Sequence, residues 1–159
     1  MKDVFYELSK RYSFTLKIVG AGEHNIRIPN LKVINIDWSL KDEIEQFQSL
    51  DIGVYPLPDN EWVLGKTGFK TIQYMSVGVP CVVSNIGTNK YIVQDGINGY
   101  LADTKKEWIE KISKLIEDGS LRKKIGLAGR MIVEEKYSLK ACRDKYVNIF
   151  KDVFERKKK

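Results

Sequence analysis

The sequence predicts an α/β fold in which parallel strands alternate with helices. Three observations predict it. β-Branched runs of strand length recur between stretches with helical spacing, glycine or proline turns close the runs, and no tight Asn-Gly or Asp-Gly hairpin joins neighbouring strands. Strands linked by helices rather than hairpins form right-handed crossovers, which put them parallel in a sheet covered on both faces.

Residues 2 to 11 fit a helix with Val4, Phe5 and Leu8 on one face, and "FTLKIVG" from Phe14 to Gly20 reads as the first strand. The Gly20-Ala21-Gly22 turn follows it. "LKVINI" from Leu31 to Ile36 is a second strand, and Ser39 to Leu50 is a helix whose Ser39 and Asp42 have capping-box spacing, with Asp in place of Glu. "DIGVYPLP" gives a third strand closed by Pro56 and Pro58, and "DNEWVLG" reads as irregular. A helix from about Lys70 to Val77, a strand from Pro80 to Ser84, a short helix in "TNKYIVQD" and a fifth strand in "INGYLAD" complete the alternation. From Thr104 the pattern is helix alone, with Trp108, Ile112, Leu115 and Ile116 on one stripe, Leu121, Ile125, Ala128 and Ile132 on the next, and a last helix after Ser138. The architecture expected is Rossmann-like.

With 159 residues, 43% of them apolar and 30% charged, the chain has the composition of one folded unit. A single domain over residues 1 to 159 is expected, its C-terminal helices covering about 104 to 154. No run is apolar enough to span a membrane, and "MKDVFYELSK" has charges where a secretory signal would carry its apolar core. Cys81 and Cys142 have neither metal-ligand spacing nor disulfide density, so both are expected as small core residues in a reducing cytoplasm. The formal charge is +6, and eight of the lysines and arginines follow Lys136, ending in "ERKKK". Such a terminus is either a solvated helix end or a contact for an anionic membrane surface; nucleic acid is not an expected partner.

"VGAGEHN" has Gly20 and Gly22 after a strand, but Asn25 stands at the third glycine position and "IRIPN" follows where a helix would begin, which argues against a nicotinamide or flavin site. His24 is the only histidine, so neither a histidine-pair zinc site nor a triad with a choice of bases is available. "GKT" at Gly65 to Thr67 lacks the upstream glycine of a Walker loop. "GKTGFK" does place Lys66 and Lys70 beside the backbone amides of Thr67, Gly68 and Phe69 at a helix start, an arrangement suited to a phosphate or pyrophosphate; two solvated lysines are the plain alternative. Gln73 lies one turn further on and has an amide for a hydroxyl or a base edge. Gly78 and Pro80 turn the chain from helix to strand, and Gly87 turns it at that strand's carboxyl end, where ligands bind in such sheets. Asn89 and Lys90 then either line a ligand or cap the short helix.

"GFKTIQYMSVGVPCVVSNIGTNKYIVQDGINGYLA", supported by "LKIVGAG", "VINIDW" and "DIGVYPLP" in order, resembles the carboxyl-terminal domain of the retaining glycosyltransferases of the glycosyl transferases group 1 family. The resemblance covers nearly the whole chain. It implies one half of a GT-B architecture, carrying the site for a nucleoside diphosphate sugar, with no cofactor and no metal. The family's two acids of this region, one for the sugar and one for the ribose hydroxyls, fall on Gly65 and Gln73, so both are replaced here. By resemblance the diphosphate belongs to the Thr67-Gly68-Phe69 backbone with Lys66 and Lys70, and the base to the backbone of Ile36 to Trp38 and the Gly20 to Gly22 turn. Asn89 falls on the sugar side.

The usual first strand, its Arg and Lys, and the acceptor domain have no counterpart in this sequence. The resemblance therefore implies a donor half that extends a glycan or glycolipid when completed by an acceptor domain or subunit. A non-catalytic nucleotide-binding or interaction subunit that kept the fold is the rival, and a sugar phosphorylase half would need a cofactor lysine that nothing identifies. Leu139, Cys142, Tyr146, Ile149, Phe150, Val153 and Phe154 give the last helix a wide apolar stripe, expected to be exposed or hidden by self-association.

Overall fold

A computed structural model describes residues 1–22 and 25–156 of the chain. His24 and the last three lysines of "ERKKK" lie outside the described residues. Along the chain run α1 (Lys2–Ser9), β1 (Thr15–Val19), β2 (Lys32–Ile36), α2 (Glu43–Gln48), β3 (Gly53–Tyr55), α3 (Glu61–Leu64), α4 (Phe69–Ser76), β4 (Cys81–Ser84), α5 (Asn89–Ile92), β5 (Tyr100–Ala102), α6 (Lys105–Glu117), α7 (Gly119–Lys136) and α8 (Leu139–Arg156). Every strand pairing is parallel, as expected.

Among the described residues the ladder is in two pieces, β1-β2 and β3-β4-β5, so β1 and β3 each have one ladder neighbour. The continuous sheet expected from the sequence is thus in two hydrogen-bonded pieces. Side chains of both pieces still share one apolar cluster: Leu16 and Val33 from β1 and β2 pack with Val54 and Val82 from β3 and β4.

Strand alternation divides the core between the two faces. Val82, Tyr100 and Ala102 join Val4, Phe5, Leu8, Trp108, Ile112, Leu115 and Ile125 under α1 and α6. Cys81 and Val83 point the opposite way, into a cluster with Met75, Ile92, Val93 and Val133 from α4, α5 and α7. Successive strand side chains face opposite sides, so β4 can be buried throughout only because both faces are covered. Cys81, Val82 and Val83 are all fully buried, each valine contributing about 1.5–3 kcal/mol by leaving water.

Several boundaries differ from the sequence expectation for physical reasons. The helix expected from Ser39 begins at Glu43, and Asp42 caps it without a side-chain bond; the Asp42 amide instead bonds the Ser39 carbonyl at 3.2 Å in a preceding turn. The irregular "DNEWVLG" contains α3, capped by Asn60, whose Oδ1 accepts from the Val63 amide at 3.0 Å. On α7 the expected Ile125 is buried and Leu121 packs against the same cluster, but the rest of the buried line is Gly126, Gly129 and Val133, with the expected Ala128 and Ile132 only half-buried. A Cβ on Gly126 would stand 2.0 Å from the Gly78 carbonyl oxygen, so the glycine side lies against the α4–β4 turn. Cys142 is half-buried rather than core; its thiol faces the Lys136 carbonyl at 3.4 Å near the start of α8.

Candidate functional site

The carboxyl ends of the strands carry three glycine-bearing segments. After β1, Gly20 at φ +77° donates its amide to the Ile36 carbonyl at 2.9 Å, which draws the turn onto the end of β2; a Cβ there would meet that of Trp38 at 3.4 Å. Gly22, at φ +60°, lies in open space and lines a hollow of about 470 Å³ with Ala21, Asn25, Asn35, Ile36 and Asp37.

Gly68 begins α4 from the left-handed region, φ +67°, and has no side chain to cap it. First-turn amides of a helix have no carbonyl four residues back within the helix; in α4 that of Thr71 bonds the Gly68 carbonyl at 3.0 Å. The conformation is enforced by packing: a Cβ on Gly68 would lie 2.6 Å from Ile92 Cδ1 and 3.1 Å from Asn89 Oδ1. The segment before it is tied to the β4 end, because the Thr88 hydroxyl donates to the Lys66 carbonyl. The Ser84 hydroxyl likewise accepts from the Leu57 amide at 2.7 Å and donates to the Leu57 carbonyl at 3.1 Å. The loops after β3 and β4 are thereby one assembly beneath the start of α4.

Gly65, Lys66 and Thr67 are exposed on this rim, with Phe69 beside them 61% exposed. Lys70 is turned aside. Its Nζ lies 3.3 Å from Glu43 Oε1 and 5.0 Å from the centre of the Phe47 ring, so a carboxylate already faces the cation expected for the diphosphate. Asn89 is not at the rim either: it is 1% exposed, its Oδ1 accepting from the Thr71 hydroxyl at 2.8 Å and its Nδ2 donating to the Ser84 carbonyl at 3.1 Å. It neither lines an open cleft nor caps α5, where Thr88 holds the N-cap position without a side-chain bond. Instead it joins β4, α4 and α5. Lys90 is exposed.

Glu43 carries no motif signal in the sequence, yet it gathers three of the expected residues. Trp38 Nε1 donates to its Oε1 at 3.1 Å, beside the Lys70 contact. The Trp38 bond, followed by the Lys70 and Gln73 side chains, holds the Glu43 carboxyl below the usual carboxylate range, against a partial loss of solvent. Gln73 Oε1 is buried with no hydrogen-bond partner. The one hint in the sequence is the indole five residues before the acid.

Glycine turns at strand ends and a glycine-started helix are shared by many α/β proteins. The decisive observation is that the family model described as "Glycosyl transferases group 1" matches residues 1–118. The chain belongs to this glycosyltransferase family. A curated relative, the capsular polysaccharide biosynthesis glycosyltransferase CapM of Staphylococcus aureus, is 28% identical over 144 residues, covering 82% of this chain and 36% of CapM. The chain spans about a third of that relative. Sucrose-phosphate synthase from Thermosynechococcus elongatus superposes with a TM-score of 0.75 at 15% identity, over 98% of this chain and 42% of that one. HepE of Anabaena, solved in complex with UDP and glucose, superposes with a TM-score of 0.63 at 18% identity, over 77% of this chain and 32% of its own. These likenesses establish the fold: this glycosyltransferase-family chain corresponds to one half of a GT-B molecule.

Proposed function

We propose that residues 1–159 form one nucleotide-sugar-binding domain, the donor half of a retaining glycosyltransferase that transfers a sugar from a nucleoside diphosphate sugar to a glycan or glycolipid. The observation that carries this reading is the segment from Gly65 to Phe69, which leads into α4 through the left-handed Gly68 at the carboxyl end of the sheet. The Thr67, Gly68 and Phe69 amides leading into α4 and the exposed Lys66 would receive the diphosphate. In the transfer step they would stabilise the charge that grows on the departing phosphate, an electrostatic role that needs neither a covalent protein intermediate nor a resident cofactor. The hollow beside Gly22 and Ile36 would take the base against backbone, with Trp38 at its edge. Support comes from HepE, a fold neighbour whose structures hold UDP, UDP with glucose, and UDP-glucose.

Transfer needs a second surface to orient the acceptor and exclude water. The exposed apolar side of α8 supplies a face for an acceptor domain or subunit, and its basic residues favour a cytoplasmic, membrane-peripheral setting. Calorimetric titration of the chain with UDP, GDP and ADP and their common sugar conjugates tests the reading, with Gln73→Ala as control. Saturable binding weakened by the substitution supports a donor site and names the base. Absence of binding to all of them overturns it in favour of a non-catalytic interaction subunit, the reading that the replaced acids at Gly65 and Gln73 would then explain.

A further inference from the structure

β1 and β3 are covered by the same two helices, although among the described residues no ladder joins them. On one face, Leu16 of β1 and Val54 of β3 pack into the apolar cluster that holds Val4, Phe5 and Leu8 of α1. On the other face α2 reaches both strands. Lys17 Nζ of β1 donates to Gln46 Oε1 at 3.2 Å and to Ser49 Oγ at 2.6 Å. Phe47 packs edge-on, 5.1 Å between ring centres, against Tyr74, whose ring lies over Gly53 of β3. With β2 on the far side of β1 and β4 on the far side of β3, the two strands turn one unpaired edge each towards an opening between α1 and α2.

The bonds at the strand ends identify the groups on those edges. The Gly20 amide is turned to the Ile36 carbonyl of β2, and the Gly53 amide to the Pro80 carbonyl just before β4, both at 2.9 Å. Successive residues of a paired strand turn their amides and carbonyls to alternate sides. Thr15, Lys17 and Val19 of β1 and Val54 of β3 therefore direct theirs into the opening. The Tyr74 hydroxyl donates to the Val54 carbonyl at 3.3 Å, which leaves that oxygen a second lone pair. Facing rows of backbone donors and acceptors are a template for a further strand. Side-chain burial agrees. Leu16, Ile18 and Val54 are half-buried, whereas Val82 and Val83 of β4, which has a strand on each side, are fully buried.

We propose that the opening between β1 and β3 receives one extended segment of a second polypeptide, which bonds to both edges and joins the two ladders into one sheet. Its length matches the five residues of β1. Because both faces are covered, its side chains are apolar and β-branched; it lacks proline, which would forfeit a bond to one edge. It runs parallel to its neighbours, as every pairing in this sheet does. Nucleotide binding does not enter this proposal, so it and the donor-site reading can fail separately.

Amide hydrogen exchange of the 159-residue chain is the first test. Lys17, Val19 and Val54 are expected to exchange at least about tenfold faster than Ile18 and Val82, whose amides face β2 and β3. A peptide of five alternating valines and isoleucines between lysine pairs, added in trans, should slow the three amides and raise the melting temperature by several degrees. A second form joins the peptide ahead of Met1 by a short glycine-serine linker, which brings its effective concentration to about millimolar. There α1 runs back along β1, so its start lies near the strands' carboxyl ends. Protection by either form supports the proposal, and a proline at the peptide's centre should abolish it. If the linked form does not fold, the peptide in trans decides. Slow exchange of the three amides in the free chain overturns the proposal, because the edges are then already closed; if that protection grows with chain concentration, the opening belongs to another copy. Exchange unchanged by the peptide, or slowed equally by its proline version, overturns it too.

Discussion

Asn89 uses both ends of its amide inside the protein, accepting from Thr71 and donating to the Ser84 carbonyl, with the Thr71 side chain fully buried. Replacing it by leucine removes both bonds and strips the Thr71 hydroxyl of its acceptor. Asn89→Leu is expected to cost about 2–4 kcal/mol, read as a lower urea midpoint at unchanged slope, because an orphaned buried donor costs more than the bond it lost. Alkali should act through two other residues. Burial pushes the Cys81 thiol from 9.0 up to about 12 and, as the largest cause, the Tyr74 phenol from 10.0 to about 12. A raised native pKa means that the folded chain keeps protons the unfolded chain releases. The stabilisation is therefore complete below about pH 9 and lost as pH climbs towards 12. Urea midpoints measured from pH 8 to 11 should fall steadily above pH 9, and alkylation of the native chain at pH 8 should modify Cys142 and spare Cys81; equal labelling of both thiols would contradict the burial.

At the scale of elements, the close contact of α7 with the turn after α4 depends on an absent side chain. A Cβ on Gly126 would come within 2.0 Å of backbone, whereas one on Gly119 would meet only the flexible end of Arg122 at 3.6 Å. Gly126→Ala should therefore destabilise by more than about 2 kcal/mol despite the better helix propensity of alanine, and Gly119→Ala should be neutral or slightly stabilising. Thermal melts of the two variants provide the comparison, and similar melting temperatures would mean that α7 can shift at little cost. The same glycines show why the later half of the α7 face was misread from sequence. Period counting scores side chains, and Gly126 and Gly129 belong to the buried line because they have none. β4 was legible for the opposite reason: an all-apolar run between a Gly-x-Pro turn and a glycine turn has few solutions besides a strand covered on both faces. The parts of the site lying on one stretch, from Gly65 to Gln73, were likewise visible. Glu43 was not, since its partners Lys70 and Gln73 lie on a different helix and only tertiary packing brings them together. Asn89 was visible as a residue of interest but misplaced at the rim, because its burial depends on Thr71, distant in sequence.

For the molecule as a whole, α8 is the element least explained by the rest. Its described side chains include none that are buried, and Tyr146, Ile149 and Phe150 are 62%, 57% and 71% exposed. Among the described residues no helix is long and apolar enough to cross a membrane, so this stripe is an amphipathic face. Its apolar spacing could be read in the sequence, whereas the lack of cover follows from the narrow contact it makes with α7. A stripe of this kind lowers its free energy by covering itself, and at raised concentration the nearest cover is another copy. Sedimentation of the chain at increasing concentration should show reversible self-association, accompanied by binding of a hydrophobic dye. Replacing Ile149 and Phe150 together by lysine should abolish both, yet shift stability by no more than about 0.5 kcal/mol, the range expected for exposed positions without tertiary contacts. A large loss of stability in that variant would place the two side chains inside the fold, and a wild-type chain that stays monomeric and binds no dye would mean that the face is not an association surface.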